Sequence, residues 1–323
     1  MIGLFYGTRP EYIKLLPLLE ALDDRGINYL LYQVTQHTDL IDNCAFDKTI
    51  KIGSMEGNRL NNIIMSIMPY RFENLDYVLV QGDTTTAAAV AISAFHQRIP
   101  VMHLEAGMRT YDKENPYPEE VNRRIISSIA TIHYCPTVVE KAFLIREGFF
   151  RDDILVTGNT IIDNLRGMES FRTNKVLVTL HRRENHERMG DWFYAIESLA
   201  KENPEYKFIF PMHPNPKVQK YRNMLRAVQV CDPLVYDDMK EIIASCAAII
   251  TDSGGIQEEA SYFKKPCFVC RLTTERPSQG SYLCSTPQKL RSTFSLDKVV
   301  GSETPFGDGK AGEKIAEDIY RRV

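Results

Sequence analysis

The stretch Thr251-Asp252-Ser253-Gly254-Gly255-Ile256-Gln257-Glu258-Glu259-Ala260 follows the apolar run Ala247-Ala248-Ile249-Ile250 and leads into helix-permissive residues. A buried strand is therefore expected to end in a glycine-rich turn at a helix N-terminus. Such a turn aims backbone N–H groups and the positive end of the helix dipole at one point, where phosphate is the natural guest. A plain strand-to-helix turn with Ser253 as its cap accounts for the same residues. The carboxylates of Glu258 and Glu259 favour the ligand, because a first-turn glutamate beside a diphosphate makes chemical sense if it holds a sugar hydroxyl. A phosphorylated sugar or a nucleotide sugar is the expected ligand class.

Outward from this turn, short apolar runs alternate with amphipathic stretches almost from end to end. Strands are expected at residues 2–6, 29–34, 77–81, 101–104, 132–135 and 154–156, with helices such as 11–22, 85–96, 120–130 and 138–147 between them. A second series of strands begins at 176–180 and continues through 208–211, 228–230, 248–251 and 267–269. This is βαβ grammar written twice, so the expected fold class is α/β, with two Rossmann-like doubly wound domains facing a cleft. The domains expected are residues 1–165 and 166–306, followed by a C-terminal segment 307–323. Residues 158–174, polar and without strand character, are the expected hinge.

The 323 residues exceed what one core usually fills, which agrees with two domains. A hydrophobic content of 44% with 25% charged residues suits a globular enzyme, and the net charge of −3 gives no basic field for nucleic acid. No apolar run nears the length of a membrane span, and Met1-Ile2-Gly3-Leu4-Phe5-Tyr6 is too short for a signal segment and lacks a basic flank. A cytosolic protein is expected, with no membrane partner. The seven cysteines are scattered through apolar contexts. Cys267-Phe268-Val269-Cys270 has no second pair and reads as packing rather than a metal site or a disulfide.

Polar motifs fall at the carboxyl ends of the expected strands, where doubly wound folds place their chemistry. Gly7-Thr8-Arg9-Pro10-Glu11, Gln36-His37, Gly82-Asp83-Thr84-Thr85-Thr86 and His103-Leu104-Glu105-Ala106-Gly107 close four strands of the first series. His181-Arg182-Arg183-Glu184-Asn185 and His213-Pro214-Asn215-Pro216 close two of the second. Asp83 reads either as the cap of the helix behind it or as a carboxylate pointing into the cleft. Strand alternation puts His103 and Glu105 on one face. Glu119 and Glu120 follow the rigid turn Pro116-Tyr117-Pro118, where compensation of a helix dipole explains them. Together Asp83, Glu105 and Glu119 would supply the carboxylates needed to remove and return a proton. Arg182 and Arg183 match diphosphate oxygens, or pair with Glu184 and Glu187 in a structural network; His181 can orient a phosphate or protonate a leaving group. His213 sits in a proline-stiffened loop as either a ligand or a structural histidine. Neither a metal-binding histidine pair nor a G-x-G-x-x-G fingerprint appears, so neither metal nor nicotinamide is required.

These segments, joined by Pro118-Glu119-Glu120 with Asn122-Arg123, Gly158-Asn159-Thr160, Thr274-Glu275-Arg276-Pro277 and Gly307-Asp308-Gly309, resemble the non-hydrolysing UDP-N-acetylglucosamine 2-epimerase family in the family's own order along nearly the whole chain. The resemblance implies a glycosyltransferase-B type pair of domains, with residues 309–323 forming a helix that returns toward the N-terminal domain, and a homodimer. It implies interconversion of UDP-GlcNAc and UDP-ManNAc without a cofactor: UDP leaves by anti elimination as a base takes the C-2 proton, then adds back to the 2-acetamidoglucal after reprotonation from the opposite face. Asp83, Glu105 and Glu119 resemble the family's catalytic carboxylates, and His181 the histidine beside the phosphates. Arg9, Lys14, Ser253, Gly254, Gly255, Glu259 and Arg276 resemble ligands of UDP and its diphosphate, with Arg182 and His213 beside them. Gln36, His37 and Glu120 resemble part of a second nucleotide-sugar site that activates bacterial members.

Two departures bear on these expectations. Ser278 stands where the family usually has glutamate after Arg-Pro, which touches the local wall of the site and the sugar accepted. Asp39 stands where a glutamine would donate to the activator; a carboxylate offers only acceptors and repels a diphosphate, so a weakened activator site is expected. A hydrolysing relative that releases N-acetylmannosamine, an idle nucleotide-sugar binding protein and a glycosyltransferase of the same architecture remain as rivals. Retention of the three carboxylates speaks against the idle protein.

Overall fold

The computed structural model describes residues 1–35, 44–53 and 58–323. In chain order the elements are β1 (Ile2–Tyr6), α1 (Arg9–Asp23), β2 (Tyr29–Thr35), β3 (Lys48–Lys51), α2 (Arg59–Ile67), β4 (Tyr77–Gln81), α3 (Thr85–His96), β5 (Val101–Leu104), α4 (Glu119–Ile129), β6 (Ile132–Cys135), α5 (Val138–Arg146), β7 (Ile154–Val156) and α6 (Thr160–Asp163). There follow β8 (Lys175–Thr179), α7 (Met189–Glu202), β9 (Lys207–Pro211), α8 (Pro216–Gln219), β10 (Gln229–Cys231), α9 (Tyr236–Ser245), β11 (Ala248–Thr251), α10 (Gly254–Tyr262), β12 (Cys267–Val269), β13 (Ser281–Leu283), α11 (Pro287–Thr293) and α12 (Ala311–Tyr320). The chain divides into two units, Met1–Asn164 with Gly307–Val323, and Leu165–Phe306.

The first unit holds a parallel sheet in the order β3-β2-β1-β4-β5-β6-β7. All five residues of β1 are buried, the signature of a strand covered on both faces. On one face Ile2, Leu4 and Tyr6 pack with Leu15, Leu18 and Leu22 of α1 and with Ile315 and Ile319 of α12. On the other, Phe5, Val78 and Val80 meet Ala87, Ala91 and Ala94 of α3. Each fully buried leucine of this kind contributes about 2–3 kcal/mol. The C-terminal helix thus belongs to this unit, and the carboxylate of Asp163 on α6 accepts from the N–H groups of Ala311 (3.0 Å) and Gly312 (2.7 Å) at its first turn.

The second unit repeats the plan with a parallel sheet in the order β10-β9-β8-β11-β12-β13. Its core gathers Val176 and Val178 of β8, Trp192, Phe193 and Ile196 of α7, Phe208 and Phe210 of β9, Ile250 of β11 and Phe268 of β12. Both units are Rossmann-like α/β folds. Cys267 and Cys270 are buried at β12, and burial pushes both thiols up.

Two edge strands, β3 and β13, were not among those expected from the sequence. β3 reads Lys-Thr-Ile-Lys, of which only Ile50 is buried, and β13 has three residues, so neither carries the apolar run that marks a central strand. The division between the units, after Asn164, falls inside the segment 158–174 expected as the hinge, and the first part of that segment is packed: Thr160, Ile161, Ile162 and Leu165 are buried, and α6 lies against α1 and α12. The sheet orders show where loops diverge. Strand order reverses between β1 and β4 in the first unit and between β8 and β11 in the second, and crevices at the carboxyl ends of such strand pairs take ligands.

Candidate active site

At the reversal in the first unit, β1 ends in Gly7-Thr8-Arg9 and β4 in Gly82-Asp83-Thr84. Thr8 caps α1, and Glu11 one turn later accepts from the Gly7 N–H (3.0 Å) and the Thr8 hydroxyl (2.7 Å), a variant of the capping box. The other Glu11 oxygen accepts from the Thr84 hydroxyl at 2.7 Å, tying the two turns together. Burial raises the Glu11 carboxyl above the ordinary range. Arg9, in the first turn of α1, is exposed.

Asp83 is not the helix cap that its position suggested. Thr84 caps α3, accepting from the Ala87 N–H at 3.1 Å. Gly82 has a φ of 70°, which a residue with a Cβ adopts only under strain, and this turns Asp83 away from the helix axis. Asp83 Oδ2 instead accepts from Arg123 Nε (2.8 Å) and Nη2 (2.7 Å), and its carbonyl accepts from Asn122 Nδ2 (2.9 Å). Glu119 is the first residue of α4 and stands three and four positions before Asn122 and Arg123. Helical spacing therefore puts it on the face that holds Asp83.

Glu105 lies beyond the end of β5, with a φ of 65°. That left-handed residue breaks the strand alternation, so Glu105 and His103 do not share a face as expected. The Glu105 carboxylate turns to the α1 side, where Lys14 Nζ (2.6 Å) and Gln81 Nε2 donate to Oε2 and Asn159 Nδ2 donates to Oε1 (3.1 Å). His103 lies on the face of α3 and donates from Nε2 to the Gly82 carbonyl (2.8 Å). Lys14 thus meets a carboxylate of its own unit. Glu120 is fully buried and accepts from the N–H groups of Thr110 (2.9 Å) and Tyr111 (3.1 Å) and from Arg123 (3.4 Å). Gln36, His37 and Asp39 lie outside the described residues.

At the reversal in the second unit, Asp252 organises the loops. Its carboxylate, fully buried, accepts from the N–H groups of His181 (3.0 Å) and Arg182 (2.9 Å) and from Asn185 Nδ2 (3.0 Å). His181 Nδ1 lies 3.6 Å from Asp252 Oδ1, and its ring stacks on His213 with centroids 5.4 Å apart. Burial and then the charge of His181 push His213 down. Ser253 occupies the cap position of α10, yet its hydroxyl makes no capping bond, so the plain capping role is corrected. Its N–H donates to the Thr251 hydroxyl at 2.9 Å.

Behind that turn runs a chain of buried charge. Glu184 pairs with Arg271 (3.0 Å), Arg271 with Glu275 (2.9 Å), Glu275 with Arg276, and Arg276 with Glu258 (2.7 Å). Glu184 therefore serves Arg271 and not Arg182 or Arg183. Arg276 is packed so closely on Gly254 that a Cβ there would lie 2.7 Å from its guanidinium, which explains the glycine. Gly255 has nothing within 4 Å of where a Cβ would stand. Glu259 is buried and accepts from the Tyr236 hydroxyl at 2.9 Å, while Glu258 holds Arg276. Asp252, Glu11 and His103 stand inside motifs legible in the sequence, but their part in holding the loops is not. Asp252 stood inside the quoted turn, and its signal was a carboxylate directly after a fully apolar strand.

A family model described as UDP-N-acetylglucosamine 2-epimerase matches residues 31–320. The UDP-N-acetylglucosamine 2-epimerase of Campylobacter jejuni is 35% identical to this chain, over 99% of the chain and 97% of its own length. The crystal structure of UDP-GlcNAc 2-epimerase from Neisseria meningitidis bound to UDP-GlcNAc is similar with a TM-score of 0.89 at 31% identity, over 99% of both chains. That of the Methanocaldococcus jannaschii enzyme in complex with UDP-GlcNAc and UDP is similar with a TM-score of 0.85 at 29% identity, again over 99% of both. With strand-end carboxylates in one unit and a glycine turn at a helix N-terminus in the other, this chain belongs to the UDP-N-acetylglucosamine 2-epimerase family.

Proposed function

We propose that this protein interconverts UDP-GlcNAc and UDP-ManNAc by eliminating and re-adding UDP. The observation that carries the reading is the pairing of two strand-end carboxylates with cations. Arg123 lies 2.7 Å from Asp83 and Lys14 2.6 Å from Glu105. An ionised carboxylate can take the proton at C-2. As it does so the C1–O bond breaks, the electron pair leaves with UDP, and a C1–C2 double bond remains in 2-acetamidoglucal. Protonation of C-2 on the opposite face, with attack of UDP at C1, completes the epimerisation with no net consumption of water. Asp83, Glu105 and Glu119 divide the proton transfers between them.

The second unit supplies the anion site. The N-terminal turn of α10, with the N–H groups of Gly254 and Gly255 and the Ser253 hydroxyl, takes the diphosphate, and the His181 imidazole and Arg182 add donors. Glu259, oriented by Tyr236, suits a ribose hydroxyl. Arg9 adds a further cation for the diphosphate. Arg276, committed to Glu258 and Glu275, supports the turn from behind. No helix among the described residues is long and apolar enough to cross a membrane. We place the enzyme in the cytoplasm as a homodimer, which gel filtration with light scattering tests.

Incubation with UDP-GlcNAc in deuterium oxide, followed by NMR, tests the reaction. Deuterium at C-2 of both UDP-GlcNAc and UDP-ManNAc is expected. Release of free N-acetylmannosamine would assign the hydrolysing outcome, and absence of exchange with retained UDP binding would leave a nucleotide-sugar binding protein.

A further inference from the structure

We infer that His103 is a positioning residue for the proton-transfer step, acting on Asp83 through the carbonyl of Gly82; the inference rests on the proposed role of Asp83. His103 is fully buried, and its Nε2 lies 2.8 Å from the Gly82 oxygen. A carbonyl only accepts, so Nε2 carries the proton and Nδ1 is a bare lone pair. That Nδ1 is buried and has no hydrogen-bond partner among the described residues. The unpaired nitrogen costs stability, and the site accepts that cost for a single hydrogen bond. What the imidazole adds is one donor, aimed at the residue before Asp83.

Gly82 needs that donor because of its conformation. Its N–H donates to the Leu104 carbonyl at 2.9 Å, ending the β4–β5 ladder, and its φ of 70° then turns the chain out of the sheet. After the turn, the Gly82 carbonyl no longer faces a strand, and His103 takes the place of the missing ladder donor. The next peptide is held by Asn122 at the Asp83 carbonyl and the side chain by Arg123. Asn122 and Arg123 fix Asp83 from α4, whereas His103 fixes its backbone from the sheet. With the sheet anchor gone, the turn can rotate about Gly82, whose missing Cβ offers little resistance. A carboxylate displaced by about 1 Å loses on the order of 10²-fold in rate.

The test compares His103→Leu, His103→Gln and Asp83→Asn for turnover, substrate KM and melting temperature. A glutamine amide nitrogen reaches about as far as Nε2 and restores the donor, whereas leucine fills the space without one. His103→Leu is expected to lower kcat by about 10- to 100-fold, with KM within about twofold and the melting temperature lowered by no more than the loss of one buried hydrogen bond. His103→Gln is expected to recover most of the turnover. Should His103→Leu not fold, His103→Asn replaces it, because its amide is too short to reach the Gly82 oxygen, and the same loss is expected. Asp83→Asn separates the two ideas. Near-normal turnover in Asp83→Asn removes the role of Asp83 itself. A crippled Asp83→Asn beside a fully active donor-less variant, or loss of turnover in His103→Gln equal to that in His103→Leu, overturns the positioning role alone.

Discussion

At the strand reversal of the first unit the loops present side-chain charge: Asp83 and Glu105, each bonded to a cation of the same unit at 2.6–2.8 Å. At the reversal of the second unit the carboxylate of Asp252 is buried and holds the backbone of His181 and Arg182, and the Ser253 hydroxyl at the start of α10 makes no capping bond. The same topology therefore yields two loop designs. In the first, carboxylates that project beyond a strand meet cations, and these are the groups proposed for proton transfer. In the second, a carboxylate that turns inward accepts N–H groups, and the loop above it is the one proposed to bind the diphosphate. The difference lies in one or two residues after each strand, Gly82 before Asp83 in one case and Asp252 directly on the strand end in the other.

The largest effects should come from the first unit. Asp83→Asn, Glu105→Gln and Glu119→Gln are each expected to lower kcat by roughly 10²–10⁴-fold, the range for a lost proton-transfer group. Circular dichroism should show a retained fold, and UDP affinity by calorimetry should change little. Near-normal turnover in two of the three variants would break the assignment of proton transfer to this unit.

The asymmetry also shows how far the sequence could be read. The central strands carry continuous apolar runs such as Ile2-Gly3-Leu4-Phe5-Tyr6, and these gave the sheets almost residue by residue. The edge strand β3 has one buried residue, Ile50, and its lysines look like a loop. Motif residues were visible because charged side chains at strand ends are conspicuous. Their partners were not: Arg123 for Asp83 and Lys14 for Glu105 lie 40 and 91 residues away. Spacing along the chain does not encode such contacts. The left-handed turn at Glu105 was hidden for a different reason, since glutamate carries no local preference for positive φ, and strand alternation misplaced it beside His103.

A pH experiment sharpens the comparison next, because the first unit buries two neutral histidines side by side. His103 and His133 are register partners on β5 and β6. Burial lowers His103 to about 4, against the Gly82 carbonyl and the charges of Asp83 and Glu105, which raise it, and with Arg109, which lowers it. Burial, then His103 and Arg109, lower His133 to about 3. A histidine whose folded value lies below its unfolded value of 6.5 contributes stability that is complete above pH 6.5. That contribution is lost as pH falls through the folded value. His103 alone is expected to cost about 3 kcal/mol between pH 6.5 and 4. Denaturant unfolding across this window should show a shallower acid loss in His103→Leu than in the wild type, and parallel curves would mean that the site is hydrated in solution.

Smaller changes should follow from the residues proposed to hold the diphosphate. Arg9→Ala, His181→Ala and Ser253→Ala are each expected to weaken UDP binding by about 1.5–3 kcal/mol at most, the range for a hydrogen bond to a charged group. Ser253→Ala belongs at the low end, being a neutral donor, and should leave the melting temperature unchanged because its hydroxyl caps nothing. Unchanged Kd for UDP in all three variants would move the anion site away from α10.

The smallest effect should come from a helix cap within the first unit. Asp163 from α6 caps α12 across 148 residues of sequence, bonding the N–H groups of Ala311 and Gly312, while Lys310 at the cap position offers no side-chain bond. Asp163→Ala leaves two first-turn donors without that acceptor and removes a negative charge from a helix N-terminus. The apolar face of α12, with Ile315, Ala316 and Ile319 buried against α1, is untouched, so the helix should stay docked. Loss of a cap of this kind costs about 1 kcal/mol, which lowers the melting temperature by about 2–4 °C in a domain of this size. Asp163 bonds the N–H groups of Ala311 and Gly312 and none of the proposed UDP ligands, so the Kd for UDP should not move. A fall in UDP affinity alongside the lower melting temperature would show that loss of this cap reaches a proposed ligand, Arg9 on the neighbouring α1 being the nearest along the fold.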